Sequence, residues 1–119
     1  MKIAISSQGD DLSATLDPRF GRASGFIIYD LDTDQYEYIS NAENAQAPQG
    51  AGGQAAQTVA RSGAQAVISG HIGPKAYAAL SGGGMSIYLA QQGTIKELIQ
   101  AYKNGQLQST QGADKPGHW

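Results

Sequence analysis

The sequence predicts one α/β domain: a five-stranded mixed sheet in the order 3-2-1-4-5, strand 2 antiparallel to the rest, flanked by helices. Three observations lead there. Three strand-like runs precede any helical pattern. From about residue 53, helical stretches alternate with short apolar runs, the mark of parallel strands joined by crossover helices. Finally, Thr94-Ile95-Lys96-Glu97 is a capping box that opens a last amphipathic helix.

The first strand is residues 2–6, Lys-Ile-Ala-Ile-Ser, bounded by Ser, Gln and Gly. A polar loop over 7–22 carries Asp10, Asp11, Asp17, Pro18, Arg19 and Arg22. Residues 26–31 and 35–40 read as strands joined by the turn Asp32-Thr33-Asp34, an antiparallel hairpin with Tyr36 and Tyr38 packing on one face. After a loop over 41–53, a helix should start near Gly53 and stop at Gly63, which suits a left-handed cap. Residues 66–69 form a short buried strand, and 70–73 a turn. Pro74 fits the first position of the next helix, where its missing N–H costs nothing. That helix carries Tyr77 and Leu80 and ends in Ser81-Gly82-Gly83-Gly84. Residues 85–89 are the fifth strand. In the capped helix Ile95, Leu98, Ile99 and Tyr102 recur at i, i+3, i+4 and i+7, and Gly105 closes it. The expected organisation is a cofactor-binding domain over 1–107 and a flexible polar tail over 108–119.

Composition narrows the function. A chain of 119 residues makes one core and not two. With 8 basic against 10 acidic residues, scattered, there is no basic stripe to neutralise a phosphate backbone, so nucleic acid is not expected as a partner. No run approaches the roughly 20 apolar residues of a membrane span. The apolar start is too short for a signal peptide, so a cytoplasmic location is expected. Cysteine is absent, which excludes disulfides, Cys-ligated zinc and Cys-ligated iron–sulfur clusters.

In an open α/β sheet, ligands bind beyond the carboxyl ends of the parallel strands. Three segments should meet there: the loop with Arg19 and Arg22, Ser69-Gly70-His71-Ile72-Gly73 after strand four, and Ala90-Gln91-Gln92-Gly93-Thr94 after strand five. Gly50-Ala51-Gly52-Gly53 can join them. Helix N-termini with close-approaching glycine backbone, two arginines and one imidazole make an anion pocket with a single metal-capable group, His71. Plainer readings exist for each part. The glycines can be turn geometry, the arginines can pair with Asp10, Asp11 or Asp17, and His71 can be an ordinary loop histidine. His118 and Trp119 read as part of the tail rather than as a copper site.

Catalysis finds little support. There is no Gly-x-Ser-x-Gly and no Walker-type phosphate loop. The element order matches a ribonuclease-H-like sheet, but nucleases of that type place a carboxylate in the first strand. Lys2-Ile3-Ala4-Ile5-Ser6 has none, which removes the two-metal mechanism.

Several stretches together resemble the dinitrogenase iron–molybdenum cofactor biosynthesis family, its small stand-alone members above all. They are the first strand, Asp17-Pro18-Arg19-Phe20-Gly21-Arg22-Ala23, Gly50-Ala51-Gly52-Gly53, the run from Gly63 to Gly70, Ile72-Gly73-Pro74-Lys75-Ala76, and Gly93-Thr94-Ile95-Lys96-Glu97. The resemblance covers about residues 1–107. It implies a ribonuclease-H-like fold without nuclease activity. It also implies non-covalent carriage of a preformed molybdenum-containing sulfide cluster, either an iron–molybdenum cofactor precursor or a mixed molybdenum–copper cluster, with cofactor-delivery or ATPase proteins as partners. Some relatives carry longer or His-rich tails; here the end is Lys115-Pro116-Gly117-His118-Trp119, which offers no comparable metal site. The expectation is a carrier and not an enzyme. Arg19 and Arg22 would balance charge, His71 would coordinate or hydrogen-bond, and the backbone near Gly52, Gly53, Gly73, Gly93 and Thr94 would cradle sulfides. The alternative is a regulatory or scaffold module that binds a partner protein through the same face and carries no cluster.

Overall fold

The structure, a computed structural model, describes residues 1–47 and 50–110. Its elements are β1 (Lys2–Ser7), β2 (Gly25–Asp30), β3 (Tyr36–Ser40), α1 (Ala42–Ala45), α2 (Ala51–Arg61), β4 (Ala66–Ser69), α3 (Pro74–Gly82), β5 (Ser86–Leu89) and α4 (Ile95–Lys103). The sheet order is β3-β2-β1-β4-β5. β2 runs antiparallel to β1 and β3, while β1, β4 and β5 are parallel. The predicted architecture and order are therefore the observed ones.

The alternation of side chains along the central strands sends two apolar sets to opposite faces. Ala4, Phe26, Ile28, Val67 and Ile87 pack under α2 and α3, against Ala55, Ala56, Val59, Ala76 and Leu80. Ile3, Ile5, Ile27 and Ile68 pack under α4, against Ile95, Leu98 and Ile99. The central strands are buried on both faces, which is why they read as continuous apolar runs. Each fully buried isoleucine contributes about 1.5–3 kcal/mol relative to exposure. At the far end of α4, Tyr102 meets Tyr88 edge-to-face at 5.2 Å. There Lys103 Nζ also reaches Asp34 Oδ1 at 3.1 Å, the oxygen that accepts the Tyr29 hydroxyl, and this ties α4 to the hairpin turn.

Three local differences from the expectation bear on the site. The loop over 41–53 contains the short helix α1. α2 starts at Ala51, two residues before Gly53, because Gly50 takes a left-handed N-cap conformation at φ 78°. Beyond 107, Ser109 pairs antiparallel with Tyr88, and Thr110 N donates to Ile87 O at 2.8 Å, so this stretch lies along the outer edge of β5. The polar composition gave no sign of that pairing. The rest of the expected tail, with His118 and Trp119, lies outside the described residues.

Candidate functional site

The carboxyl ends of β1 and β4 carry buried polar groups: Ser6, Ser7, Ser69 and, from the following loop, Asp17. The Ser6 hydroxyl donates to the Asp17 carbonyl at 2.7 Å and shares a hydrogen bond with the Ser69 hydroxyl at 2.8 Å. The Asp17 carboxylate accepts Arg19 N at 3.1 Å and faces Arg19 Nε at 3.5 Å. Asp17 is buried, whereas the Arg19 side chain is 65% exposed, so the carboxylate holds the inner edge of the guanidinium and leaves its outer fork in solvent.

This loop is annealed to the end of β4. His71 N donates to Pro18 O at 2.6 Å, Phe20 N donates to His71 O at 3.1 Å, and Arg19 and His71 form a parallel bridge. The approach requires a glycine at 70, where a Cβ would sit 2.7 Å from the Cα and carbonyl oxygen of Pro18. Arg19 and His71, far apart in sequence, thus stand side by side and exposed. His71 lines a cleft of about 420 Å³ with Pro18, Gly70, Leu89, Ala90 and Gln91.

A second cleft has a volume of about 400 Å³, and its lining includes Phe20, next to Arg19 in the chain, and Gly73, two residues after His71. Phe20 and Gly21 form one wall, Gly50, Gly52 and Gly53 at the start of α2 another, and Gly73, Pro74, Lys75 and Ala76 at the start of α3 the third. Neither helix has a side-chain cap or an acidic residue in its first turn. Their positive dipole ends therefore open on one space whose lining holds a lysine and no carboxylate.

Gly93 and Thr94 are placed differently. They line a third, open cleft of about 630 Å³ on the α4 side, with Thr15, Gln92, Glu97, Leu98 and Ala101. The predicted capping box is formed: Thr94 Oγ1 accepts Glu97 N at 3.1 Å, and Thr94 N donates to Glu97 Oε1 at 2.8 Å. Ile95 N and Lys96 N donate to Ala14 O and Leu12 O, each at 2.9 Å. The first-turn donors of α4 are thus engaged within the protein, whereas among the described residues those of Ala51, Gly52 and Gly53 in α2 and of Lys75 and Ala76 in α3 meet no hydrogen-bond acceptor. Arg22 also turns away. Its Nη1 donates to the carbonyls of Ala45, at 3.0 Å, and Ala47, so its charge closes the C-terminal end of α1.

The structure therefore brings Gly52, Gly53 and Gly73 into one cleft, sets Arg19 and His71 beside it, and separates Arg22, Gly93 and Thr94 from it. The cleft also includes residues that the sequence did not single out, among them Phe20 and Lys75. The available signal was their position: Phe20 inside Arg19-Phe20-Gly21-Arg22, and Lys75 directly after the helix-opening Gly73-Pro74. Among the described residues no group of three or more His, Cys, Asp or Glu side chains could hold a metal ion. Among the described residues His71 is the one histidine, so the donor set there fits an anion held by N–H groups and cations rather than a bare metal ion caged by side chains. Among the described residues no helix is long and apolar enough to cross a membrane.

Comparison with known proteins agrees with this architecture. The sequence model of the family described as dinitrogenase iron-molybdenum cofactor matches residues 1–105. The chain belongs to that family. It is similar to the orange protein of Desulfovibrio gigas, solved in its apo form, with 37% identity, 96% of each chain covered and a TM-score of 0.93. It is also similar to a Thermotoga protein described as a NifB candidate, with 33% identity, 98% of each chain covered and a TM-score of 0.85. An uncharacterised protein of Methanocaldococcus jannaschii is 32% identical over 110 residues, covering 91% of this chain and 90% of that one.

Proposed function

We propose that this protein is a non-enzymatic, cytoplasmic carrier of an anionic metal–sulfur cofactor, held non-covalently in the glycine-walled cleft. The cofactor we propose contains molybdenum, as a mixed molybdenum–copper sulfide cluster or a precursor of the iron–molybdenum cofactor. One observation carries this reading: two uncapped helix N-termini open on the same 400 Å³ cleft, in a lining without carboxylates. Membership of the dinitrogenase iron–molybdenum cofactor family supports the class of ligand.

The chemistry is that of retention rather than turnover. A multiply charged anion is expensive to take from water unless donors replace its hydration. Backbone N–H groups at the starts of α2 and α3 supply fixed donors, each worth about 1.5–3 kcal/mol when the acceptor is charged. Lys75 adds a mobile cation at the rim, and Arg19 a planar fork beside it. Phe20, Pro74 and Ala76 offer apolar contact that suits polarisable, weakly hydrated sulfide. His71, one bridge away, is the group able to bond a soft metal directly. Release to a cofactor-delivery or ATPase partner would need the partner to offer more donors and, where His71 bonds the metal, a ligand that replaces the imidazole.

The test is titration of the purified protein with tetrathiomolybdate, with and without copper(I), followed by gel filtration. Retention of a visible charge-transfer band with stoichiometric molybdenum is the expected result. If no molybdenum co-elutes, and protein from its native host carries none, the carrier reading fails. The same face would then serve a protein partner instead.

A further inference from the structure

Two asparagines outside the lining of the cleft link its Gly21 wall to the first residue of α2. Asn41, directly after β3, is 4% exposed. Its Nδ2 donates to the carbonyls of Gly21, at 3.2 Å, and Ala23, at 3.0 Å, while its own N–H donates to Ser24 O at 2.9 Å. Its Oδ1 accepts Asn44 Nδ2 at 3.1 Å, and that nitrogen also donates to Ala51 O at 2.8 Å. Asn41 therefore grips the Phe20–Gly21 wall, and Asn44 grips the first residue of α2. The two walls meet where a Cβ on Gly21 would lie 2.8 Å from Gly52 N and 2.9 Å from its Cα, so the fit there tolerates little displacement. The amide orientation of Asn41 follows from its partners, since the flipped form would aim an oxygen at two carbonyls.

We propose that the Asn41–Asn44 pair is the positioning device of the cleft: it clamps the Gly21 wall to the N-terminus of α2 and thereby sets the spacing of the donors that face the ligand. This rests on the reading that the anion is held in that cleft. Neither residue lines the cleft, so both act through the backbone of Gly21 and Ala51. Asn44 Oδ1 is buried without a hydrogen-bond partner among the described residues, so truncating Asn44 removes an unsatisfied oxygen, while Asn41 Oδ1 and Ala51 O lose their donor with the clamp.

Asn44→Ala is the primary variant, Asn41→Asp the stronger one, and Glu43→Gln on the exposed face of α1 the control. Asn41→Asp replaces the Nδ2 donor with an oxygen that faces two carbonyls. Two readouts are taken: the dissociation constant for tetrathiomolybdate, and amide hydrogen exchange in two segments, at Phe20 and Arg22 and at Gln54, whose amides are hydrogen-bonded. For Asn44→Ala we expect binding weakened about 3–10-fold, exchange in those two segments accelerated at least 10-fold, and a melting temperature lowered by roughly 3–8 °C, because Asn41 Oδ1 and Ala51 O lose a donor. Glu43→Gln should match the parent throughout. Parent-like exchange in both segments of Asn44→Ala overturns the clamp, and so does unchanged affinity in a parent that binds. If the parent does not bind tetrathiomolybdate, the carrier reading fails, and the exchange data still decide whether the clamp exists.

Discussion

Lys75 is the residue at which stability and loading should move in opposite directions. It occupies the second position of α3, a helix of 9 residues with no acidic residue in its first turn. A helix N-terminus carries roughly half a positive charge, so a cation there is repelled, and Lys75 forms no ion pair among the described residues. Lys75→Gln removes that repulsion, which should stabilise the ligand-free protein by about 0.3–1 kcal/mol. For a domain of this size that is a rise in melting temperature of roughly 1–6 °C. The same change withdraws a charge from an anion in the cleft. At an exposed lysine this should cost about 1 kcal/mol, or about five-fold in affinity. The assay pairs thermal unfolding of the ligand-free protein with tetrathiomolybdate titration of the same sample, and Lys75→Arg should preserve the parent's loading. If Lys75→Gln lowers the melting temperature, or loads as tightly as the parent, the lysine has no part in holding the anion and the dipole argument fails.

The two arginines should separate by phenotype. Arg22→Gln should lose about 1.5–3 kcal/mol of stability in urea unfolding, because the carbonyls of Ala45 and Ala47 lose a charged donor. Arg19→Gln should chiefly weaken tetrathiomolybdate binding, and if Arg22→Gln does only that instead, the assignment of Arg22 to α1 is wrong. Gly70→Ala should cost about 1–3 kcal/mol and disorder the contact between Pro18 and His71, visible as lost protection of the amides of Phe20 and His71. Asp34 should contribute to the acid limb of stability. The hydrogen bond from Tyr29, then the contact with Lys103, holds its carboxyl below the usual range. Its stabilising effect is thus complete above the unfolded-state value and lost as pH falls through the depressed folded value. Asp34→Asn should therefore flatten the fall in melting temperature between pH 5 and pH 3, and an unchanged slope would remove the Tyr29–Asp34–Lys103 contact from the account.

Much of the fold is a local matter, and local matters are visible in sequence. The capping box at Thr94 and Glu97 needs only residues three apart, and it is formed as read. Gly63 and Gly105 stop their helices with φ of 86° and 69°, a consequence of their own missing side chains. Sheet order follows from rules of connection: a hairpin pairs its neighbours, and crossover helices place β4 beside β1 and β5 beside β4.

What the tertiary structure decided is which donors are already in use. Arg22 and Arg19 are three residues apart in one motif and look equivalent. Only the fold shows that Arg22 faces the carbonyls of α1, while Arg19 is braced by a buried carboxylate with its fork in solvent. Gly93-Thr94 and Gly73-Pro74 likewise both open helices, yet the chain at Leu12 and Ala14 covers the first turn of α4 and leaves that of α3 to the cleft. The short helix α1 and its asparagine clamp were hidden for the same reason. Four residues are too few to show a helical period, and two linked side-chain amides, Asn41 on Gly21 and Ala23 and Asn44 on Ala51, span segments that are brought together only by the finished sheet. Composition and spacing record what a residue can do; whether a hydrogen-bonding group is left to do it depends on neighbours distant in the chain, and these the folded core alone assembles.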